Sequence, residues 1–204
     1  MLFNSFEFLV FLPIVFLLYW FAFKKLRAQN LFVVVASYLF YGWWDWRFLI
    51  LIAFTTLCSY VSGILLERQE GHRHIQRLIS IANIVLNLTI LGIFKYFNFF
   101  SENLQHLFQW FGFELDWVTL DILLPVGISF YTFQALSYTI DIYRHKMKPT
   151  HDIVAFFAFI SFFPQLVAGP IERATNLLPQ FESQRTFDYT AAVDGMRQIL
   201  WGLL

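Results

Sequence analysis

Charged side chains are scarce in this sequence, and their scarcity limits the classes of protein it can encode. Asp, Glu, Lys and Arg together make up 14% of the 204 residues, whereas a soluble domain usually carries about 25%. Hydrophobic residues make up 58%, which is too apolar for a water-facing surface and predicts an integral membrane protein. The formal net charge is zero, so the composition does not support a basic surface for nucleic acid.

Cysteine is almost absent, and so are the features of a cleaved secretory signal. The single Cys58 excludes an intramolecular disulfide, and we interpret it as a small buried hydrophobe within an apolar run. No basic region precedes the first apolar stretch and no small-residue cleavage site follows it. Lys24, Lys25 and Arg27 come after that stretch instead. We therefore expect an uncleaved first span with the N-terminus outside the cytoplasm.

Apolar stretches that suit a bilayer recur along the whole chain. They cover about residues 6–23, 30–44, 48–66, 78–100, 122–140 and 153–168, and a further apolar stretch covers 191–204. The second and sixth are short, which leaves tilted, interfacial or re-entrant placements open. We find no internal repeat and no linker. The sequence therefore predicts an all-α fold, a polytopic transmembrane helical bundle that forms one domain over residues 1–204.

The charges between these stretches alternate along the chain. Loop two has only Arg47 beside Asp45, and loop four, about residues 101–121, has four acids and no Lys or Arg. Because positively charged loops stay in the cytoplasm, we predict that the odd-numbered loops are cytoplasmic. Those loops contain the clusters Lys24, Lys25 and Arg27; Arg68, Arg73 and Arg77; and Arg144, Lys146 and Lys148.

Residues 123–144 carry a polar stripe within an apolar segment. Polar groups in hydrocarbon normally face a bundle interior or a cavity, whereas Phe133, Leu136 and Ile140 lie on the opposite side, which we predict meets lipid. Interhelical hydrogen bonding and a substrate path both remain open as roles for the stripe. Pro125 is interpreted as part of the helix start. At 100° per residue, an arc of about 80° contains Gly127, Tyr131, Gln134, Tyr138, Asp141 and His145.

Residues 162–173 interrupt another apolar stretch with Pro164, Gly169 and Pro170. Broken backbone at membrane depth survives only where protein or a water-filled cavity covers it. One interpretation is a re-entrant or kinked element that lines a cavity, and the other is an ordinary span that ends at Gly169. Gln165 and Arg173 join the candidates for core-polar or substrate-path residues. A local ion pair with the preceding glutamate is the simpler interpretation of Arg173.

The five histidines all fall outside the middle of the predicted spans. They are not spaced with cysteines or acids as in a metal site, and we find no phosphate-binding loop and no Ser-His-Asp candidate. The sequence therefore predicts no metal, no cofactor and no catalytic residue within these 204 residues. The histidines are His72, His74, His106, His145 and His151.

Three segments carry a resemblance to a known family. They are PVGISFYTFQALSYTIDIYR at residues 125–144, FFPQLVAGPIER at 162–173, and the opening MLFNSFEFLVFLPIVFLLYW together with YLFYGWWDWRFL at 38–49. In this order they resemble the membrane-bound O-acyltransferases. The matching branch contains the membrane subunit of alginate O-acetyltransferase and the D-alanyl transfer protein of teichoic acids. We favour the alginate-type branch.

The resemblance implies a multi-pass protein of the bacterial inner membrane that transfers an acyl group, most simply acetyl. The donor would be an acyl-CoA or an acyl carrier, and the acceptor a hydroxyl of an exported polysaccharide such as alginate, with partner proteins outside the cytoplasm. In the family a membrane-embedded histidine in the later half acts as general base. No histidine here has that setting, so we expect the N-terminal part of a longer enzyme, inactive alone. A transporter or channel subunit and a non-catalytic scaffold are the alternatives.

Overall fold

The computed structural model describes residues 5–43, 45–110, 127–167 and 170–203. All regular structure within these ranges is helical, which confirms the all-α prediction for them. In chain order the helices are α1 (Phe6–Leu17), which continues into a π-helical turn (Leu18–Ala22), α2 (Leu26–Gly42), α3 (Arg47–Arg68), α4 (Arg73–Trp110), α5 (Ile128–Tyr143), α6 (Ile153–Ser161), α7 (Phe163–Val167), α8 (Ala174–Glu182) and α9 (Tyr189–Leu203).

Two of the described helices are long and apolar enough to cross a membrane, by length and composition. They are α3 and the first part of α4, Arg73–Phe97. Two shorter apolar helical segments, Phe6–Ala22 and Ile153–Leu166, fall below that length. The larger set of spans expected from hydropathy stays a prediction.

Helix α4 is longer at both ends than the apolar stretch that predicts it. Residues 101–110 were expected in loop four but continue the helix, and Arg73, His74 and Arg77 lie in its first turns rather than in loop three. The physical reason is that these polar ends contain no Pro or Gly to stop a helix. Hydropathy marks where an apolar stretch ends, and a helix can continue beyond that point. The remainder of loop four, about residues 111–121, and the first residues of the fifth predicted span, including Pro125, lie outside the described residues.

The polarity of α4 is inverted relative to a helix of a soluble protein. Its exposed side chains include Leu78 at 67% and Val85 at 55% exposure. Its buried side chains recur every three or four residues, so they form one stripe that faces α3 and α5. Among the α4 side chains whose burial the structure describes, five are buried; four of them are polar, namely Gln76, Ser80, Asn83 and Asn87, and the fifth is Leu91.

Helix α5 lies at the centre of the described bundle. It packs against α3, α4, α6, α7 and α8, and ten of its sixteen residues are buried. Phe133 is 44% exposed, as predicted, but Leu136 is only 7% exposed, so the prediction that Leu136 meets lipid is wrong. Because neighbours surround α5 on several sides, an apolar residue opposite the polar stripe meets protein here.

Residues 152–182 form a broken helical hairpin that turns back on itself. Helix α6 ends at Ser161, where the non-helical backbone of Phe162, with ψ at 104°, breaks the helix, and α7 and α8 follow. At the start of the hairpin Asp152 contacts Arg27 at 3.8 Å. Near its end the Phe181 carbonyl accepts a 2.7 Å hydrogen bond from the side chain of Asn30. Both contacts involve the start of α2, so the hairpin returns to the end of the bundle from which it leaves.

The three basic loops lie at this same end of the bundle, which we call the basic end. Besides the Arg27–Asp152 contact, the His151 ring lies 3.0 Å from the Glu67 carboxylate. The Arg73 guanidinium lies 3.2 Å from the ring of His145. Loops one, three and five, which the sequence places on one side of the membrane, therefore meet in space.

Close approach between α3 and α5 depends on a glycine. A Cβ atom on Gly63 would lie 2.6 Å from the hydroxyl oxygen of Tyr138 and 2.7 Å from its ring. Tyr138 is fully buried and packs on the Phe156 ring with the centroids 4.5 Å apart. The tyrosine ring therefore occupies the space that Gly63 leaves free.

We predict that Gly63→Ala destabilises the protein by about 1–3 kcal/mol, the usual cost of overpacking a filled core. Thermal or denaturant unfolding of the purified protein in detergent measures the change. Gly92→Ala is the matched control, because a Cβ there meets nothing within 4 Å and alanine favours the helix. Equal effects of the two substitutions would contradict the close packing of α3 and α5.

Candidate functional site

The polar stripe of α5 lies in the interior of the described bundle. Tyr131, Gln134 and Tyr138 are completely buried, and Asp141 is nearly so. These are the residues predicted to face a bundle interior or a cavity, and their burial agrees with that placement. Burial alone does not separate interhelical bonding from a path, because both roles need interior polar groups. The hydrogen bonds of each side chain help to distinguish these two roles.

Tyr138 and the neighbouring Thr139 are paired with protein groups. The Tyr138 hydroxyl accepts a 3.2 Å hydrogen bond from the backbone N–H of Thr150. Thr139 accepts a 2.6 Å hydrogen bond from the side-chain amide of Asn83 on α4. These contacts join α5 to the 146–152 loop and to α4, so this part of the stripe bonds helices together.

A buried amide network extends this bonding to α3. The Asn87 side chain donates to the side-chain oxygen of Asn83 at 3.1 Å, and Ser59 on α3 donates to the same oxygen at 3.4 Å. Sequence reasoning missed Asn83 and Asn87. Two asparagines four residues apart inside an apolar segment would have indicated them, because that spacing places them on one helix face.

Tyr131 and Gln134 differ from the rest of the stripe because their polar atoms have no hydrogen-bond partner among the described residues. The Tyr131 hydroxyl and both the nitrogen and the oxygen of the Gln134 amide are buried and unpaired. A buried polar group left unpaired costs about 1–3 kcal/mol. The two residues are three positions apart and so lie side by side on α5. They form the unpaired polar pair.

The start of α5 is held against the broken hairpin. Gly127 has a φ of 79°, which a residue with a side chain adopts only with strain. A Cβ on it would lie 2.8 Å from the Leu166 carbonyl oxygen in α7. Glycine at this position therefore allows both the sharp entry into α5 and the contact with α7.

Local hydrogen bonds stabilise the break in the hairpin. The side chain of Gln165 donates to the carbonyl of Pro170 at 3.0 Å, and the backbone N–H of Phe163 donates to the Ser37 hydroxyl of α2 at 3.2 Å. Pro164 occupies the second position of α7, where its missing N–H needs no partner. Gln165 is thus bonded across the break. Gly169 lies outside the described residues.

Arg173 is placed differently from the other candidates. It is exposed and immediately precedes α8, whereas the stripe of α5 is buried. The ion pairs recorded among the described residues include neither Arg173 nor Glu172, so the predicted local ion pair is not found. Its backbone carbonyl accepts hydrogen bonds from Asn176 and Leu177 in the first turn of α8.

None of the histidines with described side chains lies near the interior. All four are exposed: His72, His74, His145 and His151. Over the described ranges, no group of three His, Cys, Asp or Glu residues is placed to hold a metal ion. The described interior therefore offers polar contacts and hydrogen-bonding groups but no histidine base.

The chain is similar along its length to several known proteins. It is 38% identical to the "Probable alginate O-acetylase AlgI" of Pseudomonas aeruginosa and 38% identical to the protein of the same name from Azotobacter vinelandii, and all of the chain is covered in both. The resemblance to the alginate O-acetylases is confirmed. The peptidoglycan O-acetyltransferase of Helicobacter pylori is 31% identical over 90% of the chain.

The alignments cover most or all of this chain but less than half of each relative. The chain spans about two fifths of their length, 39% for the P. aeruginosa protein, 40% for that of A. vinelandii and 39% for that of H. pylori. No family model matches the chain. No solved structure matches it either.

Proposed function

We propose that this chain is the N-terminal part of a membrane-bound O-acyltransferase that transfers acetyl groups to hydroxyls of an exported polysaccharide such as alginate. The observation that carries the proposal is 38% identity, over the whole chain, to proteins named alginate O-acetylase. The relatives do not include a transporter or channel by name, so the transporter alternative is not favoured. The similarity to a peptidoglycan O-acetyltransferase makes peptidoglycan the second candidate acceptor.

The proposed location is the bacterial inner membrane, as one multi-pass domain. Its main support is the inverted polarity of α4, which buries Asn83 and Asn87 and exposes Leu78 and Val85. In water this arrangement would leave the apolar face unburied, whereas in a bilayer it satisfies both faces. Helices α3 and α4 are also long and apolar enough to cross a membrane.

We further propose that the N-terminus lies outside and that the basic end faces the cytoplasm. The alternating loop charges support this orientation, and so does the meeting of Arg27, Glu67 and Arg73 with loop five at one end of the bundle. The acyl donor, an acyl-CoA or an acyl carrier, would approach from this end. The acceptor and its partner proteins would lie at the opposite end.

Cysteine labelling tests the orientation. In a Cys58→Ser background, a membrane-impermeant thiol reagent added to intact spheroplasts should label Asn103→Cys, beyond the apolar part of α4, and leave Glu70→Cys unlabelled. Both positions are exposed, so opening the membrane should make Glu70→Cys reactive. Labelling of both cysteines in intact spheroplasts would contradict the proposed topology.

Within this enzyme, the chain would supply structure and part of the path rather than the base. The resemblance implies that a membrane-embedded histidine removes the proton from the acceptor hydroxyl as the hydroxyl oxygen attacks the acyl carbonyl. The new ester bond forms as the bond from the acyl carbon to the donor breaks, and the donor group leaves with the proton. The unpaired polar pair, Tyr131 and Gln134, gives the α5 stripe free donors and acceptors for a passing acyl or hydroxyl group. Tyr138 and Thr139 instead hold the helices together.

Substitution of Gln134 tests whether this side chain lines the path of the acyl group or the acceptor. Gln134→Leu exchanges an unpaired amide for an apolar group of similar volume, so stability should be retained or rise. If Gln134 lines the path, transfer per folded molecule should fall at least tenfold, which corresponds to about 1.4 kcal/mol of barrier. Acetyl transfer by the complete enzyme, normalised to folded protein, and its melting temperature measure the two effects.

Two matched variants serve as controls. Asn83→Leu removes a buried amide that is paired, so it should cost about 1–2 kcal/mol of stability and leave transfer per folded molecule unchanged. Phe133→Leu changes the exposed side of α5 and should alter neither quantity. The path assignment is wrong if Gln134→Leu loses stability as Asn83→Leu does while keeping its transfer rate.

A further inference from the structure

A cavity of about 280 Å³ lies between α1, α2 and the broken hairpin, away from the unpaired polar pair. Its walls are mostly aliphatic and aromatic. Helix α1 forms the outer wall, and none of the residues of α1 is buried. We call α1 together with its π-helical turn the first helical segment. The lining includes Leu12, Val15 and Tyr19 from this segment, Val33 from α2, and Leu177 and Phe181 from α8.

Arg185 is the charged residue in the lining of this cavity. Its guanidinium donates to the side-chain oxygen of Asn30. It also lies over the rings of Tyr19 and Phe181, at 5.4 Å from each centroid. Asn30 is itself fixed by its 2.7 Å hydrogen bond to the Phe181 carbonyl. The guanidinium is therefore held in place between α2, α8 and the first helical segment.

The positive charge of Arg185 lacks a negative partner among the described residues. The ion pairs recorded there do not include it, and its Nε atom is buried without an acceptor. Burial lowers the pKa of the guanidinium, but arginine stays charged in proteins. A partly buried cation without a counter-charge is unfavourable, so the arrangement favours an anion at this position.

Arg185 also lies close to the basic end of the bundle. Its partner Asn30 is one helical turn from Arg27, at the basic end of the bundle. In the proposed topology this end faces the cytoplasm. Basic pockets between membrane helices on that side bind anionic lipid headgroups, and a guanidinium matches the geometry of a phosphate.

We propose that this cavity binds an anionic phospholipid, with one acyl chain between α1 and α8 and the phosphate on Arg185. The apolar walls suit the chain, and the unpaired guanidinium suits the phosphate. The bound lipid would fill the space between the first helical segment and the broken hairpin and so hold the two together. This inference rests on the proposed membrane placement and not on acyl transfer.

Native mass spectrometry of the purified protein tests the proposal directly. The protein is released from detergent after incubation with phosphatidylglycerol or with phosphatidylcholine of the same chains. We expect retained phosphatidylglycerol in the unaltered protein, and at least fivefold less in Arg185→Gln. Arg144→Gln, which removes an exposed arginine at the basic end, is the matched control and should retain the lipid.

A second variant leaves Arg185 in place and fills the cavity. Val15→Trp enlarges a partly buried side chain of the outer wall and should also lower phosphatidylglycerol retention. Melting temperatures measured with phosphatidylglycerol and with inorganic phosphate distinguish a lipid site from a free-anion site, since only the lipid should raise the value. Equal retention of the two lipids, equal retention by Arg185→Gln and Arg144→Gln, or an equal rise with phosphate would overturn the proposal.

Discussion

The hydrogen bonding of buried polar side chains is the constraint on which the described structure depends. Inside the proposed bilayer no water is present to satisfy such groups, so the protein must supply their partners or bear the cost of leaving them unpaired. Asn83 meets this requirement by bonding Thr139 on α5 and by accepting hydrogen bonds from Ser59 on α3 and Asn87 on its own helix. These bonds help to fix the register of α3, α4 and α5, because sliding α4 would break its bonds to both neighbouring helices.

Close packing around α5 and the broken hairpin depends on two glycines and on two polar contacts with the start of α2. Gly63 makes room for the Tyr138 ring, and Gly127 lets the start of α5 approach the Leu166 carbonyl. The hairpin is anchored at both ends near α2, through Asp152 and Phe181. These contacts position the unpaired polar pair, Tyr131 and Gln134, in the interior beside α5's paired residues. The contrast between paired and unpaired groups supports the proposed division between structural residues and path.

Much of this arrangement was predictable from the sequence, and the errors have physical causes. Polar residues spaced along α5 predicted its buried face, because exposure to lipid would leave Gln134 unsatisfied. Leu136 was assigned to lipid wrongly, since leucine is equally compatible with lipid and with a protein interior. The extent of α4 was missed because polar residues 101–110 end the apolar stretch without stopping the helix. Gln134 lacks a hydrogen-bond partner, whereas Asn83 has several. This difference depends on which helices pack around each residue, and the spacing of polar residues in the sequence does not specify that packing.

The central claim, that this chain is part of a polysaccharide O-acetyltransferase, is tested most directly by the acetyl content of the exported polymer. The gene is deleted from its host and restored on a plasmid, and ester-linked acetate is measured per unit of exported polysaccharide and, in parallel, on peptidoglycan. The proposed function predicts that deletion removes acetate from the exported polysaccharide without stopping export, and that the restored gene returns it. Unchanged acetylation of both polymers after deletion would contradict the claim.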